Sequence, residues 1–142
     1  MRNFLRKLWL FKLLLYVFAY FGRKPFFSGI TKLLTSGAAF ITLKLNNINQ
    51  LSETKNLAEI WQALMPIDGK HLFKISEINK EPAITEIYLH CPLRGTGDIS
   101  ACYKLMNYDR KLMEKFGGNL IVLESQSNSG KQYCKLAISK KE

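Results

Sequence analysis

The chain has 142 residues, 21 of them Lys or Arg against 11 Asp or Glu, for a formal charge of +10. A chain of this size holds one domain, or a small domain with an appended arm. Its three cysteines form no CxxC pair, which excludes a disulfide framework and favours a reducing, cytoplasmic compartment.

The charge is unevenly spread. No acid precedes Glu53, whereas eight basic residues precede position 45. These lie among Leu, Phe, Trp and Tyr, with no nucleic-acid motif, so the pattern argues for anionic lipid and against nucleic acid as partner.

Residues 4–21 contain 15 apolar positions in 18, interrupted by Arg6, Lys7 and Lys12. The unbroken run Leu13–Phe21 is too short to span a bilayer alone. At 100° per residue, Arg2, Arg6 and Lys12 share a narrow basic face, with Lys7 to one side, opposite a broad apolar one. That is the layout of a helix lying in the membrane interface, where Trp9, Tyr16 and Tyr20 suit the headgroup level. The Gly22-Arg23-Lys24-Pro25 break leads to a second apolar run at 26–43, so the two helices form a shallow hairpin with a basic turn. Competing readings are a single span, a cleaved signal peptide, and core or homodimer-interface helices. The signal reading lacks a small-x-small site directly after Phe21. The division expected is a helical arm at 1–44, membrane-interfacial or dimerising, and an α+β domain at 45–142.

In the body, Leu57, Ile60, Trp61 and Leu64 follow helical spacing within 51–66, with Ser52 as cap and Pro66 and Gly69 as terminators. Residues 71–78 and 83–91 are predicted strands about a turn at 79–82. Thr85, Ile87, Leu89 and Cys91 share one face of the second strand; Ile84, Glu86, Tyr88 and His90 share the other. Asp98 is the expected cap of a long helix through Phe116, stopped by Gly117-Gly118. Strands at 119–126 and 131–139 close a hairpin over the turn at 127–130. The fold class is α+β: N-terminal helices, then a ββαββ antiparallel sheet with a long helix on one face.

Cys102, Met106, Asp109, Met113 and Phe116 recur at four- and three-residue steps, on one stripe of the long helix. An acid in an apolar stripe is either a stripe-edge residue that caps or pairs, or a pocket acid of raised pKa suited to acid/base work or to a ligand's polar head. Cys91, Cys102 and Cys134 are plain buried thiols on one reading. On the other, they converge with Glu124 on zinc. His90 points away from Cys91, and His71 is too distant in sequence to make a ready Cys-His pair. Arg94, Gly95 and Gly97, before a helix start, are either an anion-binding loop or an ordinary turn.

Cys91-Pro92, Ala101-Cys102 opening a helix, Gly117-Gly118, Glu124 on a strand, Gly130 and Cys134 together resemble the 4-vinyl-reductase or hydrocarbon-binding domain family over residues 71–139. That resemblance implies a zinc set in which Cys102, Glu124 and Cys134 are ligands; Ser127 stands at the remaining position and Cys91 is the substitute fourth. The layout is also loosely similar to the aminothiazoline-carboxylate hydrolase-like family, where Cys102 and Asp109 would be the counterparts.

The reading that follows is a module binding an apolar or tetrapyrrole-like small molecule, tethered to an anionic membrane surface. Its pocket residues would be Trp61, Tyr88, Cys102, Met106, Asp109 and Met113. The alternatives are a small hydrolase or ring-modifying enzyme, with Asp109 as acid/base and Cys102 or Cys91 as nucleophile, and an assembly protein of a homodimer or membrane complex.

Overall fold

The structure is a computed structural model that describes residues 2–46, 49–51 and 55–142. It is mixed helix and strand, with N-terminal helices ahead of a four-stranded antiparallel sheet, as the α+β reading expects.

Helices α1 (Arg2–Leu5), α2 (Leu8–Gly22) and α3 (Ser28–Leu45) form the N-terminal part. Helix α2 lacks an N-capping side chain of its own; Asp68 supplies one, its Oδ1 accepting the Leu8 N–H at 2.7 Å. Lys24 is extended ahead of Pro25, which opens a 3-10 turn (Pro25–Phe27) leading into α3. The basic turn between two helices is therefore present.

The hairpin does not stand apart from the body. Phe18 and Ala19 of α2 and Ala39 of α3 belong to the same buried cluster as Trp61, Phe73 and Leu112. Along α3, a polar seam fixes the docking. Asn107 Nδ2 donates to Thr35 Oγ1 at 2.9 Å and to Ser36 Oγ at 3.1 Å, and the Thr42 and Tyr108 hydroxyls are hydrogen-bonded at 2.9 Å. Pro25–Leu45 is long and apolar enough, by length and composition, to cross a membrane. Three of its positions, Thr31, Thr35 and Ala39, are buried against the rest of the protein.

Helix α4 (Leu57–Leu64) is shorter than the predicted 51–66. It starts at Asn56 in a capping box with Glu59, the two reciprocal bonds being 3.0 and 3.1 Å. The expected cap at Ser52 lies outside the described residues.

The sheet runs β1 (Phe73–Glu77), β2 (Ala83–Ile87), β4 (Cys134–Lys140), β3 (Gly118–Glu124), with every neighbouring pair antiparallel. Ala83, Thr85 and Leu89 are buried, following the alternation read from the sequence. The ladder stops at Ile87 rather than Cys91, because the chain beyond it bonds to a side chain, Gln126, instead of a strand. The expected turn at 127–130 is a short helix, α7 (Gln126–Ser129), capped by Ser125 and closed by Gly130 at φ 68°.

Between these strands the long helix is divided. Helix α5 (Ile99–Leu105) is capped by Asp98 as expected, Asp98 Oδ1 accepting the Ala101 N–H at 2.9 Å. It gives way at Met106, where ψ opens to −6°, to α6 (Asn107–Lys115). The break falls beside Asn107, the residue held by α3.

Candidate functional site

A cavity of about 500 Å³ lies between the N-terminal hairpin and the body. Phe11, Leu15 and Phe18 of α2 and Leu34, Ala38 and Thr42 of α3 form its walls. Phe73, Ile87 and Leu89 line it from the sheet side, and Cys102, Leu105, Met106 and Asp109 from α5 and α6. Leu33, Leu14 and Ile41 also line it yet remain exposed, Leu33 at 73%, so they form its rim. Size and lining match a small-molecule site: mostly apolar, with few polar groups.

Asp109 is the one carboxylate in the lining, and it is 7% exposed. Its Oδ1 accepts the Trp61 indole N–H at 2.9 Å. Burial pushes its pKa up to about 6, against the opposing pull of the Trp61 bond and the Arg110 charge. Asp109 is thus both paired and turned to a cavity, combining the two readings made from the stripe. Trp61 and Met113 are wholly buried and are not among the lining residues, so Trp61 serves the site through Asp109.

Tyr88 is not a cavity residue. Its hydroxyl donates to Glu86 Oε2 at 2.8 Å, and its ring packs against Tyr133 and under the Lys74 ammonium. Glu86 and Tyr88 belong to the sheet face opposite Thr85 and Leu89, which carries this cluster away from the pocket.

All three cysteines line the cavity and are free. Burial raises the thiol pKa of Cys91 and of Cys102 and pushes that of Cys134 up to about 12. This direction keeps the thiols protonated and is opposite to the activation a nucleophile needs. Cys134 Sγ accepts the Gln126 N–H and Cys91 Sγ the Leu93 N–H. The zinc set is not assembled: among the described residues no three His, Cys, Asp or Glu side chains are grouped to hold a metal ion. Glu124 is drawn instead to Lys131 at 2.6 Å.

The 94–97 loop is likewise engaged internally rather than offered to an anion. The Gly95 and Gly97 N–H groups donate to the Gln126 and Ser127 carbonyls at 2.9 and 3.0 Å. Those of Arg94 and Thr96 donate to Cys91 and Leu93, and Arg94 Nε donates to Gln126 Oε1 at 2.9 Å. Both glycines have φ near 70°, the left-handed region that lets the loop turn its amides inward.

Of the basic residues assigned to a membrane, Lys7, Lys12, Arg23 and Lys24 are exposed, as are Trp9 and Tyr16. Arg6 is half-buried, its Nη2 donating to the Ala63 carbonyl at 3.2 Å, and with Lys7 it lines one end of the cavity. Of Arg2 only the backbone is described.

Sequence reasoning missed Gln126 and the arm residues that wall the pocket. A single Gln at a strand end carries no local signal. The apolar spacing of α2 fits lipid and cavity alike. No family model matches the sequence, and no curated protein or solved structure matches the chain.

Proposed function

We propose that this protein is a binding module for an apolar small molecule that works at an anionic membrane surface. The observation that carries this reading is the shared rim: residues bordering the apolar cavity belong to the hairpin surface that also stays exposed. Among the described residues, thirteen of the nineteen large apolar side chains left exposed lie within 4–41. They include Phe26 at 90% and Tyr20 at 62%, beside Lys12, Arg23, Lys24 and Lys32, with no acid in the stretch. An apolar surface edged by cations suits the interface of an anionic bilayer. A ligand leaving the bilayer would then enter between α2 and α3 without crossing water.

Two measurements test the two halves. The full chain should float with vesicles of equal parts phosphatidylcholine and phosphatidylserine, not with phosphatidylcholine alone, and salt should release it. Lys12→Gln with Arg23→Gln should weaken partition roughly thirtyfold, at about 1 kcal/mol per cation. Salt-independent behaviour together with a dimer in solution would transfer the exposed face to a second copy of the chain. For the cavity, Gly37→Leu is the sharper variant. Gly37 lines the cavity, and a Cβ there meets nothing within 4 Å. Leucine should stabilise α3 by about 0.5–1 kcal/mol through helix propensity while taking up ligand space. The variant should therefore melt higher yet bind a fluorescent apolar probe less well. Unchanged probe binding would sink the cavity reading.

A further inference from the structure

Five side chains close a circuit at one part of the cavity. Asp109 Oδ1 accepts the Trp61 indole N–H at 2.9 Å, the Trp61 ring packs edge-to-face with Phe73 at 5.9 Å between centroids, and Phe73 packs with Phe11 at 5.8 Å. Phe11 in turn meets Tyr108, also at 5.8 Å, and Tyr108 precedes Asp109 on α6. Phe11, Phe73, Tyr108 and Asp109 line the cavity, while Trp61 is wholly buried. Aromatic rings present negative π-faces, and the acid among them adds a full negative charge.

The needs of that carboxylate are only partly met within the protein. Among the described residues Trp61 is the one side chain hydrogen-bonded to it, and no cation forms an ion pair with it. Arg110 is the cation that acts on it most, but its guanidinium stacks 3.9 Å over the exposed Tyr103 ring and donates to the Tyr103 carbonyl. Of the cations in the lining, Arg6 is held at the Ala63 carbonyl and Lys7 is exposed. The Tyr108 hydroxyl and the Cys134 thiol also feel the Asp109 charge, and burial raises the pKa of both, so they stay neutral. An acid enclosed by apolar and aromatic walls, with one indole for a partner, is matched to a cation that carries its own apolar surface.

We propose that the cavity takes a hydrophobic amine, its ammonium paired with Asp109 beside the Phe11, Phe73 and Tyr108 rings and its apolar body filling the rest of the lining. The ammonium would form a charge-assisted hydrogen bond out of contact with water and gain cation–π attraction from the rings. A carboxylate head would meet Asp109 as a like charge, and an alcohol would gain neither term. The chain as a whole carries +10, so its overall field draws acids and repels amines. A preference for the amine would therefore be a property of the site. This inference rests on the apolar-ligand reading above and adds the head group to it.

The test is calorimetric titration of the full chain at pH 7.5 with decylamine, decanol, decanoic acid and methylammonium chloride, each amphiphile kept below its micelle and solubility limits. The amine should bind at least tenfold more tightly than the alcohol, the acid most weakly, and methylammonium should not compete at matched concentration. Asp109→Asn keeps an acceptor for the Trp61 N–H and removes the charge, so the ratio of amine to alcohol affinity should fall to near one. Phe11→Leu, at a half-buried lining position on α2, is the second variant and should lower that ratio about threefold. Equal affinities for amine and alcohol in the parent, or a ratio unchanged in Asp109→Asn, would overturn the ammonium head while leaving the apolar cavity standing. Tighter binding of the acid than of the amine would overturn it as well. Competition by methylammonium as strong as by decylamine would show a cation site without a tail, with the same consequence. Binding of no amphiphile at all would remove the apolar-ligand reading and this inference together.

Discussion

Gln126→Met is expected to lower the unfolding free energy by roughly 3 kcal/mol, seen as a fall in Tm of about 10 °C. Gln126 is fully buried, and every polar atom of its side chain is engaged. Oε1 accepts from the Cys91 N–H at 3.0 Å and from Arg94 Nε at 2.9 Å, while Nε2 donates to the Leu89 carbonyl at 2.8 Å. Methionine has nearly the same reach and bulk but replaces none of these partners. Arg94 is half-buried and can turn to water. The Cys91 N–H and Leu89 carbonyl belong to backbone packed against the core, and each orphaned group costs about 1–3 kcal/mol. Arg94→Met, which removes one partner and leaves Gln126 satisfied by two backbone groups, should cost under about 1 kcal/mol. Urea unfolding of the two variants against the parent separates these cases. A loss below about 1 kcal/mol in Gln126→Met would mean that the β2 extension is held by its apolar contacts alone.

That extension also shows why parts of this fold were legible in the sequence and parts were not. The alternation that sets Thr85 and Leu89 on one face reads correctly, both being buried, because burial on one sheet face is a period-two property of the strand itself. The Asp98 cap and the stop at Gly117, with φ 69°, are equally local. The division of the long helix at Met106 is not local: it accompanies hydrogen bonds from Asn107 to residues more than 70 positions away. Glu124 stands where the resemblance implies a metal ligand, but its charge is met by Lys131, which no spacing rule registers. The arm was hardest. Its greasy, acid-free composition suits a membrane face, and that same composition supplies Phe18 and Ala39 to the core and Phe11 and Leu15 to the cavity wall. Hydrophobicity ranks surfaces for burial without saying which partner buries them, and α2 and α3 divide their faces between the body and the outside. Asp109 stood out in the stripe because an acid there needs a partner, but the partner, Trp61, lies 48 positions earlier on another helix.

The second large effect concerns that acid. The difference in stability between the parent and Asp109→Asn is expected to depend steeply on pH between about 4 and 7, with the parent losing ground as pH rises. The sign follows from the direction of the shift. Burial raises the folded-state pKa to about 6, from an ordinary carboxyl value near 3.9 in the unfolded chain. The folded protein therefore holds this proton more tightly than the unfolded one. Its stabilising contribution is complete below about pH 3.9, declines as pH rises through about 6, and is absent above that. At about 1.4 kcal/mol per unit, the swing is on the order of 3 kcal/mol. Asparagine keeps an oxygen to accept the Trp61 N–H and carries no charge, so the variant should match the parent near pH 4 and exceed it in stability near pH 7.5 by up to about 3 kcal/mol. Taking the difference cancels the ion-paired acids Glu77, Glu114 and Glu124, whose lowered pKa values bias the parent the opposite way. Asp109→Leu distinguishes charge from hydrogen bond. It also removes the ionisation cost but strands the buried Trp61 N–H, so it should be less stable than Asp109→Asn by about 1–3 kcal/mol at every pH. Urea unfolding of the three proteins across this range is the measurement; a pH-independent gap between parent and Asp109→Asn would mean that Asp109 ionises freely where it sits. A carboxylate that weakens the folded state at neutral pH is not explained by packing, since asparagine fills the same space and meets the same indole. Its place in the lining of an apolar cavity, rather than at a point of the core, is where a reason for the acid is to be sought.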